Sequence, residues 1–327
     1  MPLSPRISVV IPTHNRPELF AEALQSVMQQ TASDWEAIIV DDGSTPPVSL
    51  GSLAEKLRLL RHTSPKGGPA AKNTGAQAAR GDIIAFLDDD DLYAPAYLER
   101  ALHVLDRYPQ VDVVFMGVSW FGANARWGEE AYRQAMQKIL QEAGGSEAEP
   151  GVTLFGDALV GALLNGVPMA FQRPIVRRRA FEAIGGYRVG CLLWDCDWAT
   201  RAALQVPTAL LIEGVYRQRS DSQGFSSKPD RHLEHLLSGI EIRDMLLQTM
   251  TTQPQYKHKA GLFREAAAKS WFNLAYYYYK SGRPEKVLAA WWQSQKRQVK
   301  VGRTKLLIRL LLSALWRGRG QAQRPQA

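Results

Sequence analysis

The sequence predicts an α/β domain, a mostly parallel sheet flanked by helices in the Rossmann-like manner, followed by an α-helical region. Three observations carry this reading. Uninterrupted apolar, β-branched runs alternate with segments of helical periodicity over the first third of the chain. Each of those runs ends in a cluster of polar residues. Beyond about Pro229 the pattern becomes wholly helical, and the charge changes sign towards the C-terminus. At 327 residues, 45% hydrophobic and 22% charged, the chain can bury one large core and a smaller one.

The first strand is Ile7 to Ile11 (ISVVI), and the helix after it, Glu18 to Gln29, carries Leu19, Ala23, Val27 and Met28 at helical spacing. Ala37 to Val40 (AIIV) reads as a buried strand ending in DDGST. Ala70 to Ala79 reads as a helix entered through Gly67 and Gly68, which allow close backbone approach. Ile83 to Leu87 (IIAFL) is a third buried strand that runs directly into four aspartates, Asp88 to Asp91. LYAPAYLERAL then implies a helix with Pro95 in its first turn. Gly122 to Gly151 reads as an insertion, one helix from roughly Glu129 to Ala143 followed by a flexible loop. Trp120, Phe121 and Trp127 are either packing residues or ones that stack on a ligand face on the acceptor side. The expected division is residues 1–228 for the α/β domain and 229–327 for the helical region. In the latter, Trp271, Leu274, Ala275, Tyr278, Gly282, Val287 and Trp291 resemble one tetratricopeptide hairpin. A final helix, about Arg303 to Trp316, is basic and amphipathic, with Arg317 and Arg319 just beyond it.

The net charge of +8 hides an asymmetry: Tyr256 to Ala327 holds 16 Lys and Arg against 2 Glu, or +14, which leaves −6 for the rest. The apolar content of the last helix fits a membrane or protein surface better than a phosphate backbone, so no nucleic-acid partner is expected. Cys191 and Cys196 are expected to be free thiols in a cytoplasmic protein. The N-terminal apolar run is broken by Pro12 and is too short for a signal-peptide core. LLIRLLLSALW is interrupted by Arg309 and falls short of the ~20 residues a spanning helix needs. No GxGxxG follows the first strand, which argues against a dinucleotide-binding dehydrogenase.

Four adjacent carboxylates repel one another and destabilise the fold unless a cation sits among them or they splay into solvent. In parallel sheets ligands collect at the carboxyl ends of strands. Thr13 to Arg16, Asp41 with Asp42, and Asp88 to Asp91 all lie at such ends. Turn and cap chemistry explains any one of these clusters. Three at one end of a sheet point to a ligand crevice.

VVIPTHNRPELFAEALQSVMQQT, VDDGST and GGPAAKNTGAQAARGDIIAFLDDDDLYAP resemble the nucleotide-sugar-binding half of a family 2 glycosyltransferase of GT-A fold. The resemblance runs from about Ile7 to Leu98 and resumes in FEAIGGYR and WDCDWATRAA. It implies a metal-dependent, inverting transfer of a sugar from a nucleoside-diphosphate donor, UDP first among them, to an acceptor hydroxyl. Cell-surface polysaccharide, lipid-linked glycan or glycoconjugate synthesis is the setting it implies. By the family's Asp-X-Asp pattern, Asp90 is the direct ligand of Mn²⁺ or Mg²⁺, Asp88 contacts the metal shell or ribose, and Asp89 adjoins them. Hard oxygen donors suit such a cation. Asp91 is instead expected to cap the following helix. Asp41 and Asp42 resemble the pair that recognises the base, Asp42 being the choice. Pro12, Thr13 and His14 form the wall beside the base, Asn15 and Arg16 extend it, and Lys72 lies near the nucleotide.

An acceptor alcohol also needs a base. The family's Glu-Asp motif aligns with Trp194 and Asp195, so Asp195 is the expected base, with Trp194 in place of the usual Glu and Asp197 as the alternative. Arg219 stands where family members often have a metal-approaching His; it cannot ligate a cation but can neutralise phosphate, with Arg217 nearby. Asp221 to Ser227 has the composition of a lid. Two alternatives stay open: a catalytically silent nucleotide-sugar-binding scaffold acting through its helical tail, and, less well matched, a nucleotidyltransferase. The expected location is the cytoplasm, at the inner face of the membrane if the terminal helix docks there.

Overall fold

A computed structural model describes residues 5–50, 56–221, 231–305 and 307–308. The chain forms two compact units, Met1–Lys228 and Pro229–Ala327. In the first, the runs read as buried strands pair side by side. β1 (Ile7–Thr13) lies between β2 (Trp35–Asp41) and β4 (Ile83–Phe86), parallel to both, and β3 (Leu57–Arg61) extends the parallel set beyond β2. Apart from the half-buried Pro12, every residue of β1, β2 and β4 is buried, as befits strands covered on both faces.

Helices α1 (Pro17–Met28) and α2 (Gly68–Gln77) connect these strands. Each opens with a proline in its first turn, where the missing N–H costs nothing. Gly75 of α2 sits so close to β1 that a Cβ there would lie 2.3 Å from Val10 Cγ1. That approach holds the N-terminus of α2 beside the carboxyl ends of β1 and β2.

The rest of the sheet adds antiparallel strands to this mostly parallel arrangement. After β5 (Leu92–Tyr93) and α3 (Tyr97–Arg107) come β6 (Val113–Phe121), α4 (Ala125–Ala143), β7 (Ser146–Glu149), β8 (Val152–Phe155), α5 (Ala158–Leu163), β9 (Pro174–Arg177), α6 (Arg178–Ile184), α7 (Trp194–Gln205) and β10 (Thr208–Arg219). Among the described residues the sheet has ten strands in the order β3-β2-β1-β4-β9-β6-β10-β8-β7, with β5 also paired to β10. β9 runs antiparallel to both β4 and β6, while β6 and β10 are parallel to each other. The insertion is more ordered than its composition implies: its helix begins at Ala125, and the expected flexible loop is the β7–β8 hairpin, bonded to the sheet through β8 and β10. Polar side chains suit an edge hairpin as well as a loop, so composition alone does not separate the two.

In the second unit, α8 (His232–Thr252), α9 (Ala260–Lys280) and α10 (Pro284–Arg297) bury Ile240, Leu274, Ala275, Val287 and Ala290 together with Leu307. α9 and α10 form a hairpin turned at Gly282, whose φ of +66° favours glycine. Arg297 pairs with Asp244 and lies over the ring of Trp271, whose Nε1 donates to the same carboxylate at 3.0 Å. Residues 301–305 and 307–308 are helical. The remainder of the expected terminal helix, 309–316, lies outside the described residues, as do Arg317 and Arg319. Among the described residues no helix is long and apolar enough to cross a membrane.

Candidate active site

The strand order reverses direction between β1 and β4, the place where open α/β sheets bind ligands. Here the first and third polar clusters meet. Thr13 Oγ1 donates to Asp89 Oδ2 at 2.8 Å, and Arg16 Nη1 donates to Asp89 Oδ1 at 3.2 Å and to Asp90 Oδ2 at 3.0 Å. The second cluster joins through backbone, the Asp42 amide donating to the Thr13 carbonyl at 2.9 Å. His14 and Asn15 are exposed: His14 Nδ1 lies 2.8 Å from the Asp42 carbonyl, and Asn15 accepts from the Thr45 amide at 2.8 Å. Asn15 has φ +52°, a conformation Asn tolerates better than most residues. Half-buried Pro12 sits at register with Val40.

Asp41 and Asp42 are buried and occupied from within. Asp41 accepts from the amides of Ser44 at 2.8 Å and Val48 at 3.1 Å and pairs with Arg61. Asp42 accepts from the amides of Lys66 at 2.9 Å and Gly67 at 2.7 Å, and His62 Nδ1 lies 2.6 Å from it. Burial works against both charges, yet these donors outweigh it and hold both carboxyls below the usual range. A carboxylate has about four acceptor positions, and Asp42 has three engaged inside the chain. Its evident work is to shape the turn that leads into α2.

The aspartate loop sorts its four carboxylates by environment. Asp88 lies 2.6 Å from Lys72 Nζ and 3.5 Å from Arg173 Nη2. Burial opposes its charge, but the two cations prevail and hold its carboxyl at about 2. Lys72 is buried, with its ammonium 4.6 Å from the Trp194 ring and 5.9 Å from that of Tyr187. Asp89 is pushed up to about 6, first by burial and then, against the Thr13 hydrogen bond, by its acidic neighbours. Asp91 is pushed up to about 7, again chiefly by burial, which Arg173 only partly offsets. The expected capping role of Asp91 is not formed. It accepts from the Tyr216 hydroxyl at 2.9 Å and the Arg219 amide at 2.8 Å, and α3 begins only at Tyr97, capped by Ala96 without a side-chain bond. Strand β5 intervenes and ties this end of the loop to β10. Asp90 keeps 23% of its side chain exposed.

Asp195 and Asp197 occupy different surroundings on α7. Asp195 is half-buried in the field of Arg173, Lys72 and Asp88; burial, the largest influence, raises its carboxyl above the usual range. Asp197 is fully buried, 2.9 Å from Arg201 and 3.3 Å from Arg188. Arg219 hydrogen-bonds the Asp90 carbonyl at 2.9 Å, reaches Glu22 at 2.5 Å, and lies 4.6 Å from the Phe121 ring. Arg217 lies 5.2 Å from the same ring, so Phe121 serves these guanidinium groups. Trp120 packs against the main core with its Nε1 buried and unbonded. Residues 222–227 of the expected lid and the side chain of Trp127 lie outside the described residues.

Among the described residues no three His, Cys, Asp or Glu side chains converge as a metal cage. Mg²⁺ and Mn²⁺ sites in phosphate chemistry need fewer: one or two carboxylates, the remaining positions going to water and phosphate oxygens. Asp90 and Asp88, the two loop carboxylates with exposed side-chain surface of 23% and 26%, fit that donor set. Sequence reading missed Arg173, Tyr187, Tyr216 and His62. Arg173 left one trace, a cation inside the apolar stretch MAFQRPIV.

Residues 8–155 match the family model for glycosyl transferase family 2. A Haemophilus influenzae protein named as an uncharacterized glycosyltransferase is 28% identical over 181 residues, 55% of each chain, so the chain spans about half the length of that relative. S. aureus TarS 1–349 in complex with UDP-GlcNAc superposes with a TM-score of 0.61 at 17% identity, covering 88% of this chain and 79% of that one. The mannosyltransferase PcManGT from Pyrobaculum calidifontis, in complex with GDP-Man and Mn²⁺, gives 0.53 at 18% identity over 96% and 81%. With the strand order and the polar strand ends already described, these matches show that residues 8–155 are similar to glycosyl transferase family 2 and that the chain has a fold of the GT-A type, followed by a helical C-terminal region.

Proposed function

We propose that this protein transfers a sugar from a nucleoside-diphosphate sugar to an acceptor hydroxyl, with inversion and with a divalent cation, in the synthesis of a surface polysaccharide, lipid-linked glycan or glycoconjugate. One observation carries the reading: Lys72, Arg173, Asp88 and the proton-avid Asp195 share one electrostatic environment at the carboxyl end of β4. The complexes of TarS with UDP-GlcNAc and of PcManGT with GDP-Man and Mn²⁺ support a diphosphate donor and a cation. Uridine is the first base to try.

Asp90, with Asp88, would hold Mn²⁺ or Mg²⁺, which when bound supplies positive charge to the departing diphosphate. Lys72 keeps Asp88 ionised and places an ammonium beside the same loop. Asp195 takes the proton of the acceptor hydroxyl as that oxygen attacks the anomeric carbon; a carboxyl raised above its ordinary range is a better base near neutral pH. A single in-line displacement inverts the centre. Asp197, buried and paired with two arginines, positions α7. Peripheral membrane contact through the terminal segment, at the inner face of the cytoplasmic membrane, completes the proposal for a lipid-linked acceptor.

Calorimetric titration of UDP, GDP and dTDP with and without Mn²⁺, on the wild type and Asp90→Ala, tests the reading. One nucleotide should bind, and lose affinity without the cation and in the variant. Binding without turnover across a broad acceptor panel would favour the silent scaffold instead.

A further inference from the structure

Arg173 reaches the aspartate loop from a turn just before β9, more than 80 residues further along the chain. It is 7% exposed. Its Nη2 lies 3.5 Å from Asp88, 3.6 Å from Asp91 and donates to Gln218 Oε1 at 3.2 Å; its Nη1 donates to the Gln172 carbonyl at 3.2 Å, and the guanidinium lies 4.9 Å from the Tyr216 ring. Its Nε is buried without an acceptor. A buried cation with an unbonded donor is unfavourable unless something offsets it, and here the buried Asp91 and the partly exposed Asp88 do.

We infer that Arg173 is a positioning residue whose charge holds Asp88 and Asp91 in place, so that the divalent cation enters together with the nucleotide rather than ahead of it. This rests on the cation-dependent reading above. Lys72, Arg173 and Arg16 set three positive charges against four carboxylates. A divalent cation arriving alone meets two buried positive groups across Asp88, where little water screens them. A diphosphate brings the negative charge that offsets both. Internal cations therefore hold the loop assembled, receptive to a diphosphate and poor for a bare metal ion.

The test measures binding of Mn²⁺ alone, by electron paramagnetic resonance of the free ion, and of UDP alone, by calorimetry, on the full chain. The wild type should bind Mn²⁺ at least about tenfold more weakly without UDP than with it. Arg173→Met should bind Mn²⁺ alone about tenfold more tightly than the wild type and UDP alone more weakly, two changes of opposite sign. Arg173→Lys, which keeps the charge, should stay close to the wild type, and Arg173→Gln supplies the neutral comparison if the methionine variant does not fold. Loss of both affinities in the neutral variants would make Arg173 merely structural and overturn the inference, leaving the cation reading intact. A wild type that binds free Mn²⁺ as tightly as it does with UDP would also overturn it. No Mn²⁺ binding under any condition would remove the cation reading and the inference with it.

Discussion

Replacing Asp89 by Asn should stabilise the cation-free protein at pH 8 and leave it nearly unchanged near pH 4. Asp89 is 7% exposed, and its carboxyl is raised to about 6 by burial and its acidic neighbours, from an ordinary value of 3.8. A raised folded-state value favours folding below the unfolded value, near pH 4. That contribution is lost as pH rises through about 6. The shift is about two units, and each unit is worth about 1.4 kcal/mol, so the ionised carboxylate destabilises the fold by about 3 kcal/mol at pH 8. Asn keeps an acceptor for Thr13 Oγ1, and the attraction of Arg16 is already contained in the raised value. A net gain of about 2–3 kcal/mol is expected at pH 8, falling to about zero near pH 4. Urea denaturation with EDTA at both pH values measures it. A variant that loses stability equally at both would refute the reasoning, because it would show that the Thr13 and Arg16 contacts outweigh the repulsion.

Asp195→Asn should fold like the wild type, keep nucleotide binding and lose transfer by about 10²–10⁴-fold, as removal of a general base does; parallel calorimetry and product assays separate the two effects. Asp197→Asn should instead destabilise the protein by about 3 kcal/mol, because it leaves Arg188 and Arg201 facing a neutral group, and a thermal melt will show it. Transfer rate in saturating substrate should fall as pH drops through a midpoint above the ordinary carboxylate range, since Asp195 must be ionised to accept a proton and burial raises its value; a midpoint at or below 4 would exclude it as the base. Gly75→Ala should destabilise the first unit by about 1–3 kcal/mol, because the new methyl would sit 2.3 Å from Val10 Cγ1, and urea denaturation reads the cost directly.

Elements whose signal is local were legible in the order of residues alone. Apart from Ser8, every residue of ISVVI, AIIV and IIAF is apolar, as suits strands covered on both faces, and the three runs lie in β1, β2 and β4. The polar strand ends, and the aspartates among them, were legible for the same reason: a turn or ligand signal occupies consecutive residues. Tertiary structure decided what those residues touch. β9 enters antiparallel between β4 and β6, and its preceding turn brings Arg173 to Asp88 and Asp91, a pairing that no spacing encodes because it depends on strand order. Likewise Asp42 is engaged by His62 and the Lys66–Gly67 amides, and Asp91 by Tyr216 and Arg219. Residue type placed carboxylates at the site, but their charge state depends on burial and on cations from distant segments. Asp88 is held at about 2 and Asp91 at about 7, three residues apart on one loop, because a carboxylate's affinity for its proton follows its surroundings rather than its place in the chain.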